Sequence, residues 1–292
     1  MAPAPIPAPR ASGFTRSTGA PLYWCSYGPA GAPRLLVLHG GPGADHAYLL
    51  PQLLELADGF ELIFYDQRGG GRSKETVPTH VTWNTHVNDL ANVIAELAID
   101  PLSLVGYSWG GLLALLYARE AASARTPAMP SRLVLIDPAP VTRRHREQFE
   151  AEFARRQRGP AIQAMRDELA ASGLKESDPE AYRQRAFEAS VAGYFANPSR
   201  AADLTPFRVI GRIQQSVWES LGDFDLTVDL ASVHVPAIVV HGRQDPIPLE
   251  SSESIAKSLH AELVPLDDCG HVPYVEQPER LFSALKRFLH SS

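Results

Sequence analysis

The chain has 292 residues, 45% hydrophobic and 21% charged, enough for a buried core that needs neither disulfides nor a structural metal. A formal net charge of −6 argues against a nucleic-acid partner, which would call for a basic excess. The two cysteines, Cys25 and Cys269, stand in no metal-ligand spacing and read as free thiols of a reducing, cytoplasmic compartment.

The chain opens on MAPAPIPAPR, Pro and Ala alternating without the apolar stretch of a secretory signal, so residues 1–12 are expected to form a flexible extension. Short β-like runs follow at 13–16 and 22–27. Compact apolar runs of strand length then appear at 34–39, 61–65, 102–106, 132–136, 237–241 and 262–266. Several are continuous rather than alternating, as in strands covered on both faces. Between them, residues 83–98 place Val87, Leu90, Ala91, Ile94 and Leu97 on one helical face, and 112–120 continue as a helix from the 102–106 run. Near the end Pro278 suits a first helical turn, with Leu281, Phe282, Leu285 and Phe288 at helical spacing behind it. Residues 101–118 carry no charge over about the length that spans a bilayer. Pro101, Gly106, Gly110 and Gly111 divide that stretch into strand, turn and helix, so no membrane segment is expected.

This alternation predicts an α/β architecture with a mostly parallel sheet and right-handed crossovers, its core built from residues 13–140 and 226–292. From 141 to 225 the alternation gives way to Arg-, Glu- and Ala-rich helical sequence, expected as a helical cap inserted after the sixth strand. The cluster Arg143, Arg144, His145, Arg146, interleaved with Glu147, Glu150 and Glu152, reads as a solvated helix face.

Gly106-Tyr107-Ser108-Trp109-Gly110 carries the chemistry. It follows a buried strand and opens a helix, the setting of a nucleophile on a sharp turn where neighbours larger than glycine would clash. A serine hydroxyl needs a base, and the base needs an acid to orient it. On such an elbow the partners follow in the order serine, acid, histidine. Asp245, just past the 237–241 strand, and His271, just past the 262–266 strand, meet that order at the strand ends where Ser108 lies. Asp137, at the end of the 132–136 strand, is the rival acid, while Asp267 and Asp268 are too near His271 in sequence. His39 is read as a structural hydrogen-bonder beneath the site. In His39-Gly40-Gly41-Pro42-Gly43, Gly41 is the expected oxyanion donor, with the amide of Trp109 as the second. The loop Asp66-Gln67-Arg68-Gly69-Gly70-Gly71-Arg72-Ser73 lacks the spacing of a phosphate loop and is taken as a structural turn in which Asp66 pairs with an arginine. No zinc, calcium or iron spacing appears, and no cofactor is expected.

Taken together, HGGPG at 39–43, DQRGGGRS at 66–73, GYSWGG at 106–111, the Asp245 loop and CGH at 269–271 resemble the proline iminopeptidase group of α/β-hydrolases. The resemblance covers residues 13 to 140 and 225 to 290. It implies the α/β-hydrolase fold, a triad of Ser108, Asp245 and His271, oxyanion amides at Gly41 and Trp109, and a helical cap closing a small pocket. It also implies release of an N-terminal residue, often proline, from short peptides. Related peptidases hold the substrate's amino group with carboxylates, one in the cap and one beside the catalytic aspartate. Here Pro246 follows Asp245, and Gln214 or Gln215 falls at the expected cap acid, with Glu219 the nearest carboxylate. An ammonium in a closed pocket without a partner is costly. That departure makes an esterase, lactonase or amidase acting on small neutral acyl substrates the alternative. Phe149, Phe153, Tyr182, Phe187, Tyr194, Phe195, Phe207 and Trp218 are the aromatic candidates to line its pocket. Ser108 argues against the aspartate nucleophile of dehalogenases and epoxide hydrolases, whereas a hydroxynitrile-lyase-like role would keep the triad. The expected partner is a small molecule or short peptide, with no nucleic acid and no membrane.

Overall fold

The computed structural model describes residues 5–74, 80–125 and 128–291. Eight strands form one sheet: β1 (Ala11–Phe14), β2 (Tyr23–Tyr27), β3 (Arg34–Leu38), β4 (Glu61–Tyr65), β5 (Ser103–Tyr107), β6 (Arg132–Ile136), β7 (Ala237–Gly242) and β8 (Glu262–Leu266). Their order is β1-β2-β4-β3-β5-β6-β7-β8, with β1–β2 and β2–β4 antiparallel and every later pairing parallel. The continuous apolar runs are explained by two cores, one on each face. Leu36, Leu38, Ile63 and Tyr65 point into one, and Leu35, Val37, Leu62 and Phe64 into the other.

The helices cover both faces. α1 (Trp83–Glu96) begins where Thr82 and Thr85 exchange side-chain and backbone hydrogen bonds, and it buries Val87, Leu90, Val93 and Ile94. α2 (Trp109–Ala122) runs directly from the end of β5 and packs in the same core. Between β6 and β7 the chain forms α3 (Arg143–Gln157), α4 (Pro160–Ala171), α5 (Leu174–Ser177), α6 (Pro179–Val191), α7 (Gly211–Leu221) and α8 (Thr227–Leu230). Entry to and exit from the α3–α7 insertion meet. Arg143 donates its amide to Phe224 and Leu226 donates its amide to Val141. α9 (Leu249–Leu259), α10 (Pro273–Glu276) and α11 (Pro278–His290) complete the chain, and α11 buries Leu281, Phe282 and Leu285 on the face opposite α2.

Two local expectations change. Ala11 and Ser12, assigned by sequence to the extension, pair with Ser26 and Cys25 as part of β1; residues 1–4 of that extension lie outside the described residues. Two 3-10 segments, Ala47–Leu49 and Gln52–Asp58, and helix α9 add to the elements expected from sequence. Among the described residues no helix is long and apolar enough to cross a membrane.

Candidate active site

β3, β5, β6, β7 and β8 lie side by side and parallel, so the loops leaving their carboxyl ends converge on one edge of the sheet. Ser108 sits there between β5 and α2 with φ +52° and ψ −119°, a conformation a side chain rarely adopts. Its hydroxyl does not cap the helix it precedes. Flanking glycines make the turn possible. A Cβ on Gly110 would lie 2.0 Å from the Leu38 carbonyl oxygen, and one on Gly106 would lie 2.5 Å from that of Gly110. Because the obstacle is backbone in the middle of the sheet, Gly110→Ala is expected to cost more than about 3 kcal/mol in chemical denaturation. A cost below about 1 kcal/mol would show that the elbow has room to relax.

The freed Ser108 Oγ lies 2.9 Å from Nε2 of His271, whose Nδ1 lies 2.7 Å from Oδ2 of Asp245. His271 and Asp245 are buried. The histidine loop is tied down at several points. Tyr107 Oη donates to the His271 carbonyl at 2.8 Å, the His271 amide donates to Tyr194 O at 2.7 Å, and the Tyr194 ring stacks on the imidazole at 5.2 Å. The second oxygen of Asp245 accepts the Ile247 amide at 2.7 Å. Burial pushes the His271 imidazolium down, to a pKa of about 4, so the ring is a neutral acceptor over most of the pH range. Burial pushes the Asp245 carboxyl up, while the neighbouring Asp137 carboxyl and the Ile247 amide pull it back.

Gly41 has φ +60°, which glycine adopts without strain, and both Gly41 and Trp109 face the cavity at Ser108. Trp109 is the first residue of α2, so its amide has no intrahelical acceptor. The Gly41 loop is braced from beneath. Tyr48 Oη accepts the Gly40 amide at 2.7 Å, and His39 Nε2 accepts the Gln67 amide at 3.1 Å while Nδ1–H donates to Gly40 O at 2.9 Å. Gln67 also donates to His39 O at 2.8 Å and accepts the Trp109 indole N–H at 2.7 Å. The loop after β4 therefore supports the site rather than only turning the chain. Its expected Asp66–arginine pairing is corrected: Asp66 binds His46 Nδ1 at 2.7 Å and the backbone amide of Arg72, and the Arg68 guanidinium pairs with Asp89.

A cavity of about 300 Å³ opens over Ser108, walled on the sheet side by Gly41, Tyr48, Tyr107, Trp109 and His271. From the insertion come Phe149, Phe153, Tyr194, Phe207, Gln214 and Trp218. Tyr182, Phe187 and Phe195 of the expected aromatic set do not line it; Phe187 packs edge-on behind Phe207 at 5.5 Å, and Phe195 is core. Of the candidate polar contacts, Gln214 faces the cavity but Gln215 and Glu219 do not. They sit on the exposed side of α7, with Gln215 Nε2 donating to Glu219 at 2.7 Å. The carboxylate at the cavity is Glu150, paired at 2.7 Å with Arg146, whose guanidinium lies 3.8 Å over the Trp218 ring. Arg146 thus turns inward from a cluster read as solvated. Its signal was there: Arg146, Phe149, Glu150 and Phe153 recur at helical spacing along one face of α3. Tyr48 and Gln67 had no comparable signal.

Asp137, His241 and Asp245 bring three potential metal donors within 4.8 Å of one another. Two of the three are engaged by other partners: His241 Nε2–H donates to Ile247 O at 3.1 Å and its Nδ1 accepts from Ser252 at 2.9 Å, and Asp245 holds His271; Asp137 accepts the Gly242 amide on Oδ1 and leaves Oδ2 without a partner among the described residues. The cluster is a hydrogen-bonded support behind His271.

Among curated proteins, the sequence is 28% identical over 286 residues to a proline iminopeptidase of Lactobacillus delbrueckii subsp. bulgaricus, covering 88% of this chain and 90% of that protein. It is 26% identical over 263 residues to a putative carbamate hydrolase of Rhizobium rhizogenes, covering 88% and 93%. Among solved structures, a proline iminopeptidase-related protein from Thermus thermophilus aligns with a TM-score of 0.72 at 25% identity, covering 96% of each chain. Residues 35–284 match the alpha/beta hydrolase family. That match runs from β3 into α11 and takes in the parallel part of the sheet with the loops that meet at Ser108, and the chain belongs to the alpha/beta hydrolase family.

Proposed function

We propose that the protein is a serine hydrolase acting through an acyl-enzyme, and that its acyl donor is a small, uncharged, largely apolar ester or amide. The observation that carries the chemistry is the unbroken chain from Ser108 Oγ through His271 to Asp245 at the floor of the cavity. In the proposed cycle His271 Nε2 takes the Ser108 proton as Oγ attacks the carbonyl carbon. The resulting anion meets the amides of Gly41 and Trp109. The imidazolium then returns its proton to the leaving group, and the acyl-serine remains. Water, deprotonated by the same nitrogen, releases the acid. Asp245 holds Nδ1–H, so that Nε2 carries the lone pair when it is needed.

The substrate class follows from the walls. Five aromatic rings of the insertion surround the cavity, and its cation and carboxylate, Arg146 and Glu150, already neutralise each other. A second reading, the prolyl aminopeptidase, is favoured by likeness to proline iminopeptidases and by the position of Glu150, the carboxylate available to a bound amine. Initial rates on a short-chain aryl ester and a proline arylamide, with Ser108→Ala as blank, separate the two. A dominant ester rate supports the proposal, and a dominant arylamide rate replaces it with the second reading. Glu219→Gln is expected to leave KM for either substrate within about twofold, as an exposed surface change does. A KM rise of tenfold would put that carboxylate in the site.

The pH dependence has a definite sign. The reactive imidazole is neutral, and burial holds its pKa near 4, below the ordinary 6.5. kcat/KM should therefore stay level as pH falls through 6.5 and decline only as pH approaches 4. An inflection at 6.5, the ordinary imidazole value, would contradict the assignment of His271 as a buried base, whereas one near 8 would report the Asp245 carboxyl, which burial pushes up to about 8.

A further inference from the structure

Asp137 was the sequence-level rival to Asp245, and the structure puts it to a different use. It ends β6 in a left-handed conformation, φ +40°, and is fully buried. One oxygen, Oδ1, accepts the Gly242 amide at 2.8 Å. The other, Oδ2, has no hydrogen-bond partner among the described residues, and a carboxylate oxygen of Asp137 lies within 4.8 Å of one of Asp245. Asp245 already takes N–H donors on both oxygens, from Ile247 and from His271.

Two carboxylates packed together out of water do not both ionise unless a cation lies between them. Among the described residues the groups facing Asp137 provide no standing cation, and the guanidinium that acts on Asp245, Arg156, is engaged by Glu152 and the Gln244 carbonyl. On β7 and its loop the facing groups are His241 and Asp245, on the β8 loop Cys269 and His271, on β5 Tyr107, and on α10 Tyr274. Burial holds His241 neutral, against the pull of its Ile247 hydrogen bond, and His271 is neutral in the resting enzyme. One proton must therefore sit on the carboxyl pair. Asp245 has its oxygens filled by donors, so the open position is Oδ2 of Asp137. A proton there turns an unpartnered buried acceptor into a donor.

We propose that Asp137 is a positioning residue for the triad: it remains a carboxylic acid and donates its O–H to the Asp245 carboxylate, keeping that carboxylate aimed at His271 Nδ1. This rests on the acyl-transfer reading of Ser108. Burial independently pushes the Asp137 acid well above the usual carboxylate range.

Two substitutions separate the proton from the charge. Asp137→Asn keeps a neutral donor and should hold kcat within about threefold, with the acid limb of the kcat/KM profile unmoved. Asp137→Leu keeps the bulk without the donor and should lower kcat about tenfold with little change in KM, the scale of a lost hydrogen bond to a charged group. An acid limb shifted down by a unit or more in Asp137→Asn would mean that a negative charge had been removed, and would overturn the proposal. So would wild-type kcat in Asp137→Leu. Infrared spectroscopy provides a reading that needs no turnover. The carbonyl stretch of a protonated carboxyl group should be present at pH 7 in wild type and in Ser108→Ala, and absent in Asp137→Asn. The same band in all three, or in none, refutes the assignment even if the triad is correct. A wild-type rate in Ser108→Ala would instead refute the underlying reading and leave the band unaffected.

Discussion

Ser108→Ala is expected to lower kcat by about 10⁴-fold or more while leaving the fold intact, because the change removes one buried-edge oxygen and keeps the backbone of the elbow. The effect is large for a structural reason. Ser108 is held in a strained turn with its hydroxyl directed away from its own helix and onto His271, the one hydroxyl within hydrogen-bond reach of that Nε2 among the described residues. Residual catalysis would come only from the oxyanion amides and from substrate binding. Steady-state rates with circular dichroism as a folding control test this. A variant that turns over at more than about one-tenth of the wild-type rate would remove Ser108 from the chemistry.

The second large effect is expected at Asp245. Asp245→Asn keeps the shape of the side chain but loses the charge that favours Nδ1–H on His271. The imidazole can then take the tautomer with its proton facing Ser108, which leaves the hydroxyl without a base. A fall in kcat of about 10³- to 10⁴-fold is the scale of such a tautomer error. Asp137→Asn beside it should change kcat by no more than a few-fold, since it replaces one neutral donor by another. Measured together, the two variants decide which acid serves His271. The reverse order, Asp137→Asn nearly dead and Asp245→Asn nearly normal, would transfer the orienting role to Asp137.

The sheet was legible because its strands are buried on both faces. Runs such as Leu35-Leu36-Val37-Leu38 feed two cores in alternation, leaving an uninterrupted apolar stretch that only a covered strand explains. The elbow and its partners were legible because the chemistry constrains residue type and order together: glycines where Leu38 and Gly110 carbonyls crowd the turn, then an acid and a histidine after the next strands. The start of β1 was missed because Ala11 and Ser12 carry no strand preference; they pair because Ser26 and Cys25 offer a free edge.

The cavity walls were only partly legible. Tyr194 and Trp218 were placed by their aromatic character, and they do stand over His271 and Trp109. Arg146 and Glu150 belong to a helix whose sequence is dominated by exposed i,i+4 pairs such as Arg143–Glu147, and the inward turn of Arg146, with Glu150 at the exposed rim, shows only in the aromatic spacing of Phe149 and Phe153 beside them. Glu219 misled for the opposite reason: it is near the pocket in sequence, but helical rotation from Trp218 carries it to the surface. The proton on Asp137 depends on which groups three separate strands bring to its side, and no sequence pattern encodes that.

Ser108 as nucleophile is tested by treating the protein with a fluorophosphonate, which forms a stable phosphonyl ester with a nucleophilic serine as fluoride leaves, and mapping the adduct by peptide mass spectrometry. A single adduct is expected on the peptide carrying Gly106-Tyr107-Ser108-Trp109-Gly110, formed in step with loss of activity and greatly slowed in His271→Ala. Loss of activity without an adduct at Ser108, or an adduct on another serine, would take the nucleophile's role away from Ser108.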